Sequence, residues 1–253
     1  MKIKNTLLIA ALAAFAQFNS FAQTNLPAAA EPHRNLAIIP LPRTGSITNR
    51  QTLVLERAKA APGDYDIEFI GDSITQGWEG NGAKIWNELG HKYKIINMGV
   101  SGDRTEHVLW RFEQGQLDGI NAKVAVVMIG TNNSGKNKDG TDAYADADIL
   151  EGVTAIVNQI RSRQPDTKIL LLGIFPRGHT FGAQRGRLLE INQALARLDD
   201  GQHIFYLDFG SQFIGNDGTI SKQIMPDYLH PNVVGYKIWE DAMQPKLTEL
   251  IGR

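Results

Sequence analysis

Cysteine is missing from this 253-residue chain. Its absence excludes a disulfide framework, a thiolate nucleophile, a cysteine-based metal site and a lipid-modified N-terminal cysteine. An excess of either charge is missing too. The 26 Lys and Arg residues nearly balance 27 Asp and Glu, a formal net charge of −1. That balance favours neither nucleic acid nor an anionic membrane as a partner. No apolar run reaches the ~20 residues of a membrane span. Repeats are absent, and beyond an Ala/Pro-rich stretch at Gln23–Pro32 so are low-complexity tracts. What is present is 42% hydrophobic residues, enough for one sizeable core.

The N-terminus reads as an export signal. Lys2 and Lys4 make a basic region, Thr6–Phe18 an apolar one, and Ser20-Phe21-Ala22 supplies the small residues of a cleavage site. Cleavage after Ala22 leaves 24 basic against 27 acidic side chains. The expected destination is the periplasm or the outside of a bacterial cell. Residues 23–60 read as an N-terminal extension and linker, and residues 61–253 as one domain.

Within that domain apolar segments alternate with amphipathic ones. Strands are expected at Ile67–Ile70, Lys94–Met98, Val124–Ile129, Lys168–Ile174 and His203–Asp208. "VAVVMI" is apolar without alternation, as in strands covered on both faces. Two helical stripes follow, Ile149, Leu150, Val153, Ile156, Val157 and Ile160, then Leu188, Ile191, Leu195 and Leu198. Val233–Ile251 reads as a closing helix that Pro245 should kink or end. Strand–helix alternation predicts a parallel sheet between helical layers. In such sheets functional loops leave the C-terminal strand ends. Four loops there are unusual: "GDSITQGWEG", "GVSGDRTEH", "GTNNSGKN" and "DYLHPN".

Ser73 in the first loop reads either as a helix N-cap or as a nucleophile at a strand-to-helix turn. Thr75 breaks the G-x-S-x-G elbow, which excludes one hydrolase pattern only. A nucleophilic serine needs a base and an acid that orients it. Of six histidines, His230 has Asp227 one turn earlier, so one loop delivers both groups. His107 falls on a helical stripe and reads as packed or capped. Gly102 can offer a backbone N–H, and Asn132 a side-chain amide, to a developing oxyanion.

The third loop also approaches a phosphate-binding signature: Gly130, Gly135 and Lys136 fit G-x-x-x-x-G-K. Asn137 stands where a Mg²⁺-binding hydroxyl is required, and the residues after it open no helix. A nucleotide-binding protein therefore ranks last.

The four loops together resemble the sequence blocks of the SGNH (GDSL-type) hydrolases. Ser73, Gly102, Asn132 and His230 fall on the four named positions. Along most of Ile67–Trp239 the chain looks most like the platelet-activating-factor acetylhydrolase catalytic subunits and their bacterial esterase relatives. "GDRTEHVLWRFEQGQLDGI", "VVMIGTNN", "ILLLGIFPRG" and "NDGTISKQIMPDYLH" carry that likeness. It implies a three-layer, flavodoxin-like α/β/α fold with a five-stranded parallel sheet. It also implies a Ser73–His230–Asp227 triad, oxyanion donation by Gly102 and Asn132 beside the Ser73 N–H, and no metal or cofactor. Homodimerisation is open by the same analogy. The export signal and extension set the chain apart from the mammalian subunits and direct the expectation to acetylated glycans.

The expected function is thus a secreted serine esterase removing short acyl groups, acetyl first, from carbohydrate. A (phospho)lipid acetylhydrolase or lipase is the alternative, and a glycan-binding module without turnover a further one. Ile74 and Leu229, beside the nucleophile and the base, are candidates to limit acyl length. Trp78, Glu79, Arg104 and Arg177 are candidates to meet the alcohol half.

Overall fold

Five parallel strands lie in the order β2-β1-β3-β4-β5: β1 Gly63–Gly71, β2 Ile95–Asn97, β3 Ile120–Met128, β4 Lys168–Leu172 and β5 Ile204–Leu207. The computed structural model describes residues 33–45 and 48–252. The expected signal peptide, Met1–Ala22, and most of the tract after it lie outside the described residues. Each expected strand is present, with ends moved by a few residues.

Both faces of the sheet are covered. Along β3, Val124, Val126 and Met128 join one core, while Ala125 and Val127 join the other. The first face packs beneath α3 (Ala83–Lys92) and α7 (Val233–Ile251). The second packs beneath α4 (Thr105–Glu113), α5 (Asp146–Arg163) and α6 (Ala183–Leu195). Burial on both sides explains why "VAVVMI" shows no alternation. Ile149, Val153, Ile156, Val157 and Ile160 form the buried stripe of α5, and Leu188, Ile191 and Leu195 that of α6.

Two expectations need correction. Residues 35–60 are no linker, because Asn35–Arg253 is one compact unit. Within the extension, α1 (Thr48–Ala60) buries Val54 and Ala58 completely, and Ala37 ahead of it is also fully buried. The stripe of Gln51, Val54 and Ala58 is too sparse to announce a helix. Pro245, in turn, does not end α7, which runs on to Ile251. Tyr236, Trp239 and Met243 before the proline and Leu247, Leu250 and Ile251 after it are all buried. That packing outweighs the ~3 kcal/mol an interior proline costs.

β1 lies between β2 and β3, so the chain steps to one side of β1 to form β2 and crosses to its other side to form β3. Loops from three adjacent strands therefore open side by side at one end of the sheet, the position where α/β proteins place their ligands.

Candidate active site

The turn after β1 is held from every side. Asp72, fully buried, caps the four-residue helix α2 (Ser73–Gln76) by accepting the Ile74 N–H at 2.9 Å. The cap is therefore Asp72, which frees the Ser73 hydroxyl. Burial pushes the Asp72 carboxyl up to about 6, against the opposing pull of the Ile74 N–H, His230 and Arg177. A side chain at Gly71 would strike the Thr75 hydroxyl at 2.2 Å and the Met128 carbonyl at 2.4 Å. Tyr236 of α7 donates to the Ile74 carbonyl at 2.6 Å, and Asn97 to the Thr75 carbonyl at 2.9 Å.

Ser73 Oγ lies 2.9 Å from His230 Nε2, and His230 Nδ1 lies 2.6 Å from Asp227 Oδ2. Asp227 Oδ1 meanwhile accepts the backbone N–H groups of Leu229 (3.1 Å) and His230 (2.7 Å). Burial raises the Asp227 carboxyl's affinity for its proton. The hydrogen bonds from the His230 side chain and from these backbone groups outweigh it and hold the pKa below the ordinary value. An ionised carboxylate only accepts, so the Nδ1 proton points at Asp227 and Nε2 is left to take the proton of Ser73. Tyr228, in the same loop, sits at φ 61°, a region non-glycine residues seldom occupy. Its carbonyl accepts the Gly178 N–H at 2.8 Å.

Asp200 and His203 share the Asp227–His230 spacing, but their side chains stand 3.9 Å apart, at the start of β5. That is the opposite end of the strands from Ser73. Spacing alone does not separate the two pairs; the strand end does.

The loops that carry the expected oxyanion donors are tied to the serine turn and to each other. Val100 N–H bonds the Gly71 carbonyl at 3.1 Å and Ser101 N–H bonds Gln76 Oε1 at 2.8 Å. These bonds tie the loop after β2 to the nucleophile turn. Gly102 has φ +71°, and neither its N–H nor that of Ser73 has a hydrogen-bond acceptor among the described residues. Asn132 donates one amide hydrogen to the Asp103 carbonyl at 2.8 Å and keeps the other. Its neighbour Asn133 is fully buried and structural: it accepts the Thr105 N–H and donates to Glu106. Asp103 is itself fully buried against Arg111.

The candidates for substrate contact divide. Trp78 is completely buried, with ring centroids 4.8 Å from Tyr236 and 4.9 Å from Trp239, so it supports the nucleophile turn and meets no substrate. Ile74 is only 1% exposed, in the same core. Both expectations failed for one reason: adjacency in sequence does not tell which way a side chain points. Leu229 is half-buried beside His230 and remains at the site. Glu79 is held by Arg50 at 2.8 Å and Arg57 at 2.5 Å. Arg177 donates to the Thr131 carbonyl and hydroxyl and feels the charges of Asp72 and Asp227. Arg104 is partly exposed at the start of α4, its guanidinium 5.3 Å from the Tyr144 ring centre.

His107 accepts the Arg104 N–H at Nδ1, a helix-capping contact. Burial, then the nearby charges of Arg43 and Arg104, lower its pKa to about 4, so it stays neutral. The phosphate-loop likeness dissolves, since residues 131–134 form a turn and Lys136 pairs with Asp142 at 2.6 Å. Sequence reading missed Asp72, Gln76 and Arg43. The last comes from the extension and donates to the Gly102 carbonyl at 3.0 Å. Among the described residues no cluster of three His, Asp or Glu side chains could hold a metal ion.

Fold and site together define an α/β/α ester hydrolase. The chain belongs to the GDSL-like lipase/acylhydrolase family, whose sequence profile matches residues 69–238. It is 37% identical over 189 residues to the human platelet-activating factor acetylhydrolase IB subunit alpha1, covering 74% of this chain and 78% of that one. The rat alpha2 subunit is 37% identical over 172 residues, 68% of this chain and 71% of its own. Among solved structures, a GDSL-like lipase from Bacteroides thetaiotaomicron superposes with TM-score 0.61 at 20% identity, covering 81% of this chain and 99% of that one. An acetylxylan esterase from Geobacillus stearothermophilus does so with TM-score 0.56 at 18% identity, covering 74% and 93%. Identities this low speak for the fold alone.

Proposed function

We propose that this protein is an exported esterase that removes acetyl groups from carbohydrate through Ser73, His230 and Asp227. The observation that carries the proposal is the unbroken hydrogen-bonded chain from Ser73 Oγ through the His230 ring to Asp227, at 2.9 and 2.6 Å.

Ser73 Oγ attacks the ester carbonyl while His230 Nε2 takes its proton. Asp227 stabilises the imidazolium that results. The tetrahedral oxyanion forms near the Ser73 and Gly102 N–H groups and the Asn132 amide. His230 then protonates the departing alkoxide, leaving an acetylated serine. Water, deprotonated by the same imidazole, attacks that ester and releases acetate. General-base help of this kind contributes roughly 10²–10⁴ in rate, and each oxyanion donor about 10²–10³.

Acetyl is favoured because it is the acyl group that both the acetylhydrolase relatives and the acetylxylan esterase are named for. Carbohydrate is favoured by the export signal and by the xylan esterase fold. A phospholipid acetyl ester is the second reading, supported by the 37% identity to the acetylhydrolase subunits.

The test has two stages. Purified protein should hydrolyse an aryl acetate, with activity lost on treatment with a serine-directed phosphonate and in Ser73→Ala of unchanged circular dichroism. A fully active Ser73→Ala would move the nucleophile elsewhere, Ser101 being the nearest suspect. Acetylated xylan, pectin, acetylated sialic acid and an acetylated ether phospholipid, assayed side by side, then decide the alcohol half.

A further inference from the structure

Beside the oxyanion donors lies a guanidinium group that the hydrolytic steps leave unused. Arg43 comes from the extension, ahead of α1, and its backbone N–H is fixed by Gln51 Oε1 at 3.1 Å. Its Nη1 donates to the Gly102 carbonyl at 3.0 Å, and its Nε stands 4.0 Å from Asp103 Oδ1. Nη2 lies 2.8 Å from the point a Gly102 side chain would occupy and donates to no described residue. The side chain is 20% exposed, so this free edge is within reach of solvent.

The surrounding charges leave a positive surplus. Asp103 is spent on Arg111, buried beneath the loop. Glu106 keeps its charge while accepting from Tyr144 Oη at 2.6 Å and Asn133 Nδ2 at 3.1 Å, so Arg43, Arg104 and Arg111 stand against two carboxylates, Asp103 and Glu106. It meets Arg104 only at 3.9 Å. His107, between the two arginines, is neutral at physiological pH, its pKa lowered first by burial and then by both arginine charges. Arg43 thus stands against Gly102 with a guanidinium edge that the protein does not fully use, and the charge of Arg104 acts on it from the start of α4. Planar, forked donors of this kind match a carboxylate.

We propose that Arg43, assisted by Arg104, forms an anion subsite that reads a carboxylate on the alcohol half of the ester, so that the preferred substrate is an acetylated uronic-acid-type sugar. The inference rests on the esterase reading above and specifies its substrate class. It also gives the extension a role, because the domain from β1 onward would lack the subsite without residue 43.

A matched pair of methyl glycosides tests it, a galactoside and a galacturonate acetylated at the same hydroxyl. The unmodified protein should favour the galacturonate in kcat/KM, and added salt should erode that preference. In Arg43→Gln the galacturonate-to-galactoside ratio should fall about ten-fold or more, the usual worth of a charge-assisted hydrogen bond. Arg43→Lys should recover part of it, and Arg104→Gln should lower it independently. Calorimetry on Ser73→Ala with the two deacetylated glycosides reads the subsite without turnover, and the galacturonate should bind more tightly. Equal binding of both glycosides, or a ratio unmoved by Arg43→Gln and by salt, overturns the proposal. Failure to hydrolyse a neutral aryl acetate would count against the esterase reading instead, while the binding comparison still decides the subsite.

Discussion

Asp227 grips His230 twice, at ring Nδ1 (2.6 Å) and at the backbone N–H (2.7 Å). Orientation and charge are therefore supplied by one carboxylate, yet its side chain is 56% exposed, against 36% for the histidine. Water screens the charge contribution, while an amide in place of the carboxylate can still accept the backbone hydrogen bonds. His230→Ala should lower kcat on an aryl acetate by about 10⁴ or more, whereas Asp227→Asn should cost roughly ten-fold less. Equal losses would mean that the charge of Asp227, despite its exposure, carries the full effect.

On the proposed mechanism, the free amide hydrogen of Asn132 is called on only when charge develops on the carbonyl oxygen. Asn132→Ala should lower kcat about 10²–10³-fold with little change in KM. Steady-state kinetics separate the two. A change confined to KM would turn Asn132 into a ground-state contact. The variant also frees the Asp103 carbonyl, so circular dichroism and Tm should be recorded with it.

Ile74 and Leu229 flank the reacting pair but should behave differently. Ile74 is packed with the aromatic core, and Ile74→Ala should cost roughly 2–5 kcal/mol of stability, visible as a lower denaturant midpoint. Leu229 is half-buried at the site. Leu229→Ala should ease the steep fall from acetate to butyrate esters, at about 1–3 kcal/mol per misplaced methylene. Octanoate cleaved faster than acetate by the unmodified protein would sink the small-acyl reading.

Glu68, on β1, is completely buried, and both its carboxylate oxygens lack a hydrogen-bond partner. Burial pushes its carboxyl up from 4.5 to about 8, with Gln164 a lesser opposing influence. The folded protein thus keeps a proton that the unfolded chain releases near pH 4.5. Stability from this group is complete below that pH and is lost as pH rises through about 8. Glu68→Gln carries no such proton. Its Tm advantage over the parent should widen from pH 5 to pH 8 in scanning calorimetry. An advantage that shrinks over that range would reverse the sign.

Local motifs were the legible part of this molecule. Ser73, Gly102 and Asn132 each follow a strand whose apolar run is plain, and Asp227 and His230 share one short loop. Such features need only neighbours in sequence. Arg43 was illegible because its meaning depends on Gly102, 59 residues away. Helix α1 was illegible because a stripe of three buried residues gives little periodic signal. Trp78 misled because an aromatic residue five positions after the nucleophile can face either way, and here the α7 aromatics drew it inward. Pro245 was read as kinking or ending α7; the helix does not end there, because propensity is local whereas the packing that carries the helix on involves both ends of α7.

Ser73 and His230 are separated by 157 positions in the chain, and the partners of the Tyr236–Ile74 hydrogen bond that steadies the serine turn by 162. All the strands, the serine and the oxyanion donors precede the segment that brings the base. Contacts of such long range carry the largest loop-closure cost. A chain whose sheet is complete but whose last helix has not docked holds an unactivated hydroxyl. Catalytic competence therefore requires the closure that brings residues 227–236 onto the serine turn, and the onset of turnover during refolding should coincide with it.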